Sequence, residues 1–311
     1  MRVVFFGTPD FAVESLDAII QSRHEVAAVV TVPDRQAGRG QKVIHSAVKD
    51  YALAHSLPLL QPEKLRDSAF LETLAAYRAD MFVVVAFRML PEAVWNMPPN
   101  GTFNLHASLL PRYRGAAPIN WAIINGERET GVTTFLLNHN IDEGAILLQE
   151  STPISADETA ESLHDRLAAM GRTLVVRTLD GIEAGTITPQ PQQGTPCPAP
   201  KIFKDDCRID FNRTSAEVDR FVRGLSPYPA ATMTLVSPKG DITPFKVYSV
   251  NPVVEPHKNP CSTLICDGKK VLKLATADGF VHVLELQMAG KKRNCIEDFL
   301  RGNSLTGWKS I

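Results

Sequence analysis

FNLHASLLPRYRGAAPIN, residues 103–120, is the stretch that says most about how this chain folds and what it does. Its first four residues predict a strand. Because side chains alternate between the two faces of a strand, Asn104 and His106 project from the same face. An amide donor beside a titratable imidazole suits the stabilisation of charge on a carbonyl oxygen during acyl transfer. Polar side chains at a strand end can also serve only to satisfy a loop, so the pair alone does not identify a site.

Around this stretch, short apolar runs alternate with amphipathic segments. The predicted strands are Arg2–Phe6, Val26–Val32, Met81–Ala86, Gly101–His106, Val132–Leu137 and Ala145–Glu150, and the main predicted helices are Ala12–Gln21, Ala47–His55, Leu65–Tyr77 and Ala160–Gly181. This alternation predicts an α/β fold with a doubly wound, mostly parallel sheet. Such sheets bind ligands outside the carboxyl ends of their strands. We therefore expect the ends of MFVVVA and FNLH and the loop after VTTFLL to converge on one crevice.

The second half of the chain follows a different pattern. Residues 186–204, TITPQPQQGTPCPAPKIFK, are rich in Pro, Gln and Thr without periodicity and predict a linker. Beyond it, short predicted strands separated by turn residues favour a smaller C-terminal β-barrel, of which the OB-like kind is one option. We expect a catalytic α/β domain at 1–188, a linker at 189–206 and an OB-like domain at 207–311.

A candidate carboxylate follows the strand VTTFLL. Asp142 lies in NHNIDEG, residues 138–144, where Gly144 allows a tight turn. A carboxylate near an imidazole fixes its tautomer and can accept a proton directly or through water. An acid in a turn often only caps that turn. Glu143 is the alternative carboxylate, and His139 is a weaker alternative imidazole.

The turn after the first strand argues against a dinucleotide site. Gly7-Thr8-Pro9-Asp10 contains one glycine, and Pro9 has no amide to donate to a phosphate. The sequence also contains neither GxxxxGK[ST] nor GxSxG. These gaps disfavour nucleotide hydrolysis and serine-hydrolase chemistry.

Positive charge is concentrated in one loop and in the second half of the chain. PDRQAGRGQK, residues 33–42, carries Arg35, Arg39 and Lys42 on a long loop suited to gripping phosphates beside the crevice. Residues 201–311 hold 17 Lys or Arg against 12 Asp or Glu, a net charge of +5, whereas the whole chain has a net charge of −1. The loop favours a phosphate-bearing partner over a solvated surface, whereas for the second half a polyanionic partner and a solvated basic surface both stay open.

The five cysteines have an odd number and irregular spacing that fit neither a disulfide framework nor a zinc site. We expect reduced thiols and no metal. The chain starts directly on a predicted strand, with no leader and no apolar run of about 18 residues. A cytoplasmic protein with no membrane partner is therefore expected.

The motifs resemble those of one known family over nearly the whole chain. FFGTPDFA, TVPDRQAGRGQK, VVVAF, FNLHASLLPRYRGAAPIN, ETGVTTFLLNHNIDEGAILL and LQMAGKKR are similar to segments of the methionyl-tRNA formyltransferases, which use 10-formyltetrahydrofolate. The resemblance implies a formyltransferase-type α/β domain joined to an OB-like tRNA-binding domain. It also implies that Asn104, His106 and Asp142 form the catalytic trio.

Two binding surfaces follow from the same resemblance. The implied folate-binding residues are Phe87, Arg88, Met89, Leu90, Ser108, Leu109, Leu110 and Pro111, and the implied tRNA-binding residues are Arg35, Arg39, Lys42, Lys291 and Lys292. The chain departs from the family pattern in two places. Arg88-Met89-Leu90-Pro91 replaces a segment with a glycine and one more residue, and Asp142-Glu143-Gly144-Ala145 replaces the usual Asp-Thr-Gly-Asp.

The resemblance implies formyl transfer from 10-formyltetrahydrofolate to the α-amine of methionyl-initiator tRNA, which supports translation initiation. We expect direct attack, with no covalent enzyme intermediate, no metal and no obligate protein partner. The alternatives are transfer to a small amine, such as a purine intermediate or a nucleotide-linked amino sugar, and a tRNA-binding homologue without catalysis. The cationic loop and the basic second half favour tRNA, and the intact trio argues against an inactive homologue.

Overall fold

The computed structural model describes residues 1–37 and 42–311, and only the backbone of residues 36, 37 and 42. It divides into two compact units, one comprising residues 1–116, 129–153 and 164–199 and the other residues 117–128, 154–163 and 200–311. These units are discontinuous, whereas the domain boundaries drawn from the sequence are continuous and stay a prediction. The helices are α1 Asp10–Ile20, α2 Ala47–Ala54, α3 Ser68–Ala76, α4 Glu92–Trp95, α5 Pro118–Ile124, α6 Ala160–Glu183, α7 Ser215–Leu225 and α8 Ile296–Gly302.

The first unit is built on one large sheet. Its strands are β1 Arg2–Gly7, β2 Glu25–Val30, β5 Leu59–Leu60, β6 Met81–Val85, β7 Thr102–His106, β9 Glu129–Leu136 and β10 Ile146–Pro153, in the order β10-β9-β7-β6-β1-β2-β5. The five strands β7, β6, β1, β2 and β5, which are neighbours in that order, run parallel to one another. Every residue of β6 is buried, as a strand covered on both faces requires. The predicted doubly wound, mostly parallel sheet is confirmed.

The direction of β9 differs from the expectation. β9 pairs antiparallel with β7, and Leu136 at its carboxyl end lies beside Phe103, near the start of β7. The loop after VTTFLL therefore leaves from the edge opposite the end of FNLH. The carboxyl end of this strand therefore does not meet the end of FNLH, because apolar periodicity does not encode strand direction. The loop after it nevertheless reaches the segment after FNLH, where Asp142 binds Gly115.

Two segments that were predicted as loop and linker contain short strands. Within residues 33–46, β3 Arg35–Ala37 pairs antiparallel with β4 Lys42–Ile44. Within residues 186–204, β11 Cys197–Pro198 pairs parallel with β8 Arg112–Arg114. The second pairing attaches the Pro-rich segment to the stretch that follows β7.

The second unit is an antiparallel, nearly closed barrel, as predicted. Its strands are β12 Ala231–Val236, β13 Ile242–Val254, β14 Leu264–Cys266, β15 Leu272–Ala275, β16 Gly279–Met288, β17 Asn294–Cys295 and β18 Lys309–Ser310. The order is β14-β15-β16-β13-β12-β18, and β17 pairs with β16. Buried Phe245 and Phe299 stack edge to face in its core. Within the described ranges 1–37 and 42–311, no helix is long and apolar enough to cross a membrane.

Candidate active site

β7 places Asn104 and His106 on one face of the sheet. Asn104 lies opposite Phe135 on β9, and His106 lies opposite Thr133. The Phe135 ring meets the imidazole edge to face, with 6.5 Å between ring centroids and 82° between planes. Leu105, between them, packs on the other face against α6, where a Cβ at Gly171 would lie 2.5 Å from its side chain. The alternation predicted from FNLH is therefore present.

One hydrogen bond defines the state of the His106 ring. Its Nε2 lies 2.8 Å from the carbonyl oxygen of Tyr113. A carbonyl oxygen can only accept, so Nε2 must carry a hydrogen and donate it. Nδ1 is the nitrogen left to act on a substrate. His106 is 7% exposed, so this orientation is held by packing as well as by the hydrogen bond.

Asn104 provides an amide that the protein does not use. Its side chain is half-buried, and it has no hydrogen-bond partner among the residues the structure describes. Both polar atoms of the amide remain accessible to solvent and are therefore available to a ligand.

The chain after β7 turns back across the sheet and is tied to β9 and β10. Ser108 donates through Oγ to the carbonyl oxygen of Arg112 at 2.6 Å. Thr133 donates to the Ser108 carbonyl oxygen at 2.6 Å, and Gln149 donates to the Leu110 carbonyl oxygen at 2.8 Å. Pro111 and Leu110 are buried, whereas Leu109 is half-buried. The predicted folate-binding run is thus a fixed backbone segment beside His106.

Asp142 reaches the same segment from the β9–β10 connection. Its Oδ2 accepts a hydrogen bond from the backbone N–H of Gly115 at 2.8 Å, two residues beyond the Tyr113 carbonyl that binds His106. Gly115 has φ +123°, and a Cβ there would lie 2.5 Å from the Ala199 carbonyl oxygen, so glycine is required. Residues 113–115 therefore hold both predicted catalytic side chains. The anchor of the imidazole is Tyr113, and Asp142 is anchored separately.

The rest of this turn accounts for the alternative residues. Glu143 pairs with Arg114 through Oε1 and Nη1 at 2.7 Å. A Cβ at Gly144 would lie 1.5 Å from the Leu136 carbonyl oxygen, so only glycine fits there. The His139 side chain is 71% exposed and lies against Trp95, with 5.3 Å between ring centroids. Neither alternative has the contacts of Asp142 and His106.

Residues 87–90 form a mixed segment after β6. Phe87 is half-buried with its ring 5.7 Å from that of Phe6, and Met89 is 74% exposed. Arg88 donates to the carbonyl oxygens of Pro62 and Glu63, and burial lowers its pKa. Leu90 is buried in the core. Of this predicted folate-binding run, Phe87 and Met89 present apolar surface.

The predicted tRNA-binding residues lie in separate parts of the chain. Arg35 is exposed at the start of β3, and Lys42 pairs through its backbone with Ala37. Arg39 lies outside the described residues. Lys291 and Lys292 are both exposed in the turn after β16.

Arg293, next in this turn, is already engaged. Its guanidinium pairs with Glu285 and lies 4.2 Å from the centre of the Tyr248 ring, and the carboxylate raises its pKa. Its charge is therefore balanced within the barrel, which distinguishes it from the two lysines before it.

Clusters of metal ligands and clefts are the other features of the structure that could bind a ligand. Across residues 1–37 and 42–311, no three His, Cys, Asp or Glu side chains are grouped as a metal site would need. A cleft of about 310 Å³ is lined by Phe82, Arg78, Asp80 and Pro98 among others. It lies before the amino end of β6, at the sheet edge opposite His106, and it does not belong to this site.

Sequence reasoning missed three residues that build the site. Thr133 joins Ser108 and Leu110, Tyr113 fixes the imidazole, and Gln192 binds the Asp142 turn. Thr133 lies on the same face as His106, which the alternation of VTTFLL would have indicated. Nothing in the polar segment around Gln192 marks that residue.

Similar proteins identify the family of this chain. The model of the Formyl transferase family matches residues 1–179, and that of the Formyl transferase, C-terminal domain, matches residues 201–304. The chain belongs to the formyl transferase family. A family member from Bacteroides thetaiotaomicron, a methionyl-tRNA formyltransferase, is 52% identical over 315 residues, covering 99% of this chain and 98% of the relative. The methionyl-tRNA formyltransferase of Porphyromonas gingivalis is 47% identical over 313 residues, covering 98% and 97%.

Solved formyl transferase structures share the fold. The sugar 3N-formyl transferase WlaRD, solved with dTDP and 5-N-formyl-THF, has a TM-score of 0.64 and 19% identity, covering 94% of this chain and 99% of that one. HypX from Aquifex aeolicus, solved with tetrahydrofolic acid, has a TM-score of 0.64 and 19% identity over 96% of this chain. This chain spans 47% of the HypX chain.

Proposed function

We propose that this chain transfers the formyl group of 10-formyltetrahydrofolate to the α-amino group of methionyl-initiator tRNA in the cytoplasm. The observation that carries the chemistry is the attachment of His106 and Asp142 to residues 113–115, on the face from which Asn104 projects. The acceptor is supported by full-length relatives of about 50% identity that are methionyl-tRNA formyltransferases. Basic residues in both halves of the chain are compatible with binding to tRNA phosphates.

The residues present fit a folate co-substrate. Asn104 offers an unpartnered amide, and His106 keeps Nδ1 unused among the described residues. Leu109, Phe87 and Met89 offer half-buried or exposed apolar surface for an aromatic ring. A ligand site is expected to combine such apolar walls with a few converging polar groups. We propose that these five side chains, together with the backbone of residues 108–111, contact the folate.

The bound co-substrate supplies the formyl carbon as electrophile and N10 as leaving group. The bond from the formyl carbon to N10 breaks, the bond to the methionyl nitrogen forms, and one proton passes from that nitrogen to N10. Asn104 donates its amide hydrogen to the formyl oxygen as negative charge develops there. His106, when protonated, adds an N–H from Nδ1, because Nε2 already donates to Tyr113.

Asp142 acts on the amine. Its Oδ2 is held by Gly115, and Oδ1 has no hydrogen-bond partner among the described residues. A free α-amine has a pKa of about 7.7–8.0, so only modest assistance is needed to make it neutral. Asp142 receives the proton from the attacking nitrogen directly or through one water, and this proton passes on to N10 as the bond from the formyl carbon to N10 breaks. No covalent bond to the enzyme forms.

For tRNA we propose electrostatic contacts from Arg35, Arg39 and Lys42 in the stretch of residues 33–42 and from Lys291 and Lys292 on the barrel. Each lysine or arginine that neutralises a phosphate contributes to affinity through counterion release. No resident metal and no obligate protein partner are part of this proposal.

One assay tests the acceptor. Purified protein is given 10-formyltetrahydrofolate with charged initiator tRNA, with a nucleotide-linked amino sugar, or with a purine-pathway amine, each with and without chelator. Formyl-methionyl-tRNA should form fastest and at the same rate with chelator. Preferential formylation of a small amine would replace the tRNA assignment, and tRNA binding without turnover would identify an inactive homologue. Loss of activity on chelation, restored by metal, would contradict the metal-free mechanism.

A further inference from the structure

Gln192 holds the turn that carries Asp142. Its Nε2 donates to the carbonyl oxygens of Asp142 at 2.8 Å and of Gly144 at 2.9 Å. Its Oε1 accepts from Nε and Nη2 of Arg114 at 3.1 and 2.7 Å. Carbonyl groups only accept and a guanidinium only donates, so these partners fix which way the amide points. Both amide hydrogens are used to hold one turn.

Gln192 is itself fixed from both sides. Gln190 and Ile146 exchange backbone hydrogen bonds at 2.7 and 2.8 Å. After it, β11 pairs with β8, and the N–H of Ala199 donates to the Arg114 carbonyl oxygen at 2.7 Å. Gln192 is half-buried, whereas residues 193–196 are exposed. The Pro-rich segment therefore holds the Gln192 side chain against the turn of residues 142–144.

The other side of this arrangement is the segment that orients the imidazole. Arg114 lies between Tyr113, whose carbonyl binds His106, and Gly115, whose N–H binds the Asp142 carboxylate. Glu143 engages the remaining terminal nitrogen of Arg114. Gln192 therefore connects the backbone of the Asp142 turn to the residue in the centre of the His106 anchor.

Asp142 needs such support because of its backbone. Its φ is +53°, a left-handed conformation that is uncommon outside glycine, although Asp adopts it more readily than most residues. Such a conformation persists where surrounding contacts hold it, and functional sites use residues of this kind. The two hydrogen bonds from Gln192 are on the carbonyls of residues 142 and 144, on either side of Glu143.

We propose that Gln192 is a positioning residue for formyl transfer, which sets the Asp142 carboxylate relative to Asn104 and His106 by joining the 142–144 backbone to Arg114. This inference rests on the proposed function, because it depends on Asp142 as the proton acceptor. Gln192 acts through Asp142 and does not touch either substrate.

The variants follow from the hydrogen bonds. Gln192→Ala removes both donors and is expected to lower kcat about tenfold, because small displacements of a reacting group have large effects on rate. Gln192→Glu keeps an acceptor for Arg114 but sets a carboxylate oxygen against two carbonyl oxygens, so kcat should fall at least as far. The matched control is Gln193→Ala, an exposed glutamine of the same segment, which should leave kcat unchanged.

Three readouts separate positioning from folding. The KM values for folate and tRNA should change by no more than about twofold in Gln192→Ala, and its melting temperature should stay close to that of Gln193→Ala. In an Asp142→Asn background, Gln192→Ala should cause no further loss of kcat, since the two residues act as one unit. Equal kcat values for Gln192→Ala and Gln193→Ala would overturn the inference. So would a drop in kcat, on adding Gln192→Ala to the Asp142→Asn protein, as large as the drop that Gln192→Ala causes in the parent chain. Absence of formyl-methionyl-tRNA with the unsubstituted chain would instead reject the proposed function.

Discussion

At the residue scale, the site depends on which hydrogen-bond donors are already used within the protein. His106 donates from Nε2 to the Tyr113 carbonyl oxygen, whereas the Asn104 amide donates to no residue that the structure describes. The sequence indicated the shared face of this pair but not the tautomer, because the tautomer is set by a backbone carbonyl seven residues away. A preorganised donor stabilises developing charge without having to reorient during the reaction.

Removing either donor should therefore reduce turnover more than binding. We expect His106→Ala and Asn104→Ala each to lower kcat by at least about tenfold, and up to about 10²–10³-fold, with folate affinity nearly unchanged. Initial rates of formylation measure kcat, and equilibrium binding of folate measures the affinity. His139→Ala is the matched imidazole control and should keep normal turnover. Normal turnover in both site variants would reject the assigned roles.

At the element scale, the connection from β9 to β10 determines where Asp142 lies. The sequence predicted both strands and the glycine turn, but it gave the wrong reason for their convergence. β9 runs antiparallel to β7, and Asp142 reaches the site because residues 112–115 come back across the sheet. Gln192 could not be predicted from its polar, aperiodic surroundings, because its role depends on pairings with residues 78 and 50 positions distant. The short helix α8 was not predicted from the sequence.

The turn after β9 should not tolerate a side chain at Gly144. In Gly144→Ala, the new Cβ would lie 1.5 Å from the Leu136 carbonyl oxygen, so the backbone must move and carry Asp142 with it. We expect a lower melting temperature and a large loss of kcat. Gly302→Ala, at the end of α8 where nothing lies within 4 Å of the new Cβ, is the control. A Gly144→Ala protein that melts and turns over normally would contradict this close approach.

The start of α7 supplies a pH-dependent element of the barrel unit. Thr214 and Glu217 form a capping box, and Asp278 accepts from the Ser215 N–H at 2.7 Å. Hydrogen bonds from Ser215 lower the pKa of Asp278, and those from Thr214 lower the pKa of Glu217. Each carboxylate stabilises the fold above its unfolded pKa of about 4, and this stabilisation is lost as pH falls through the lower folded value.

Asp278→Asn should therefore lower the free energy of unfolding at pH 7 and reduce its dependence on pH below about 5. The amide cannot be protonated in this range, and it binds the helix terminus less strongly than the carboxylate. Denaturant unfolding at several pH values measures both effects. If the free energy of unfolding of Asp278→Asn depended on pH below about 5 as it does in the parent chain, this carboxylate would contribute nothing to the stability of α7.

At the scale of the whole molecule, the charge distribution matters more than the total. The chain is nearly neutral, yet residues 201–311 carry a net charge of +5, and Lys291 and Lys292 are exposed beside the internally paired Arg293. The family's C-terminal model covers this region. Composition allowed a polyanionic partner, and the structure distinguishes the two exposed lysines from the engaged arginine.

Lys291→Ala and Lys292→Ala should raise the KM for tRNA with kcat nearly unchanged. Each should also reduce the slope of log KM against log salt by about one unit if it removes one phosphate contact. Lys239→Ala removes the same charge from the exposed β12–β13 turn and serves as the control. Identical salt slopes for all three variants and the parent chain would reject phosphate contacts at this turn.

The most direct measurement is the rate of formyl-methionyl-tRNA formation by the purified chain and by His106→Ala, with a nucleotide-linked amino sugar as competing acceptor. We expect rapid formylation of the charged initiator tRNA by the parent chain and a loss of at least about tenfold in the variant. Preferential formylation of the amino sugar, or equal rates for the two proteins, would contradict it.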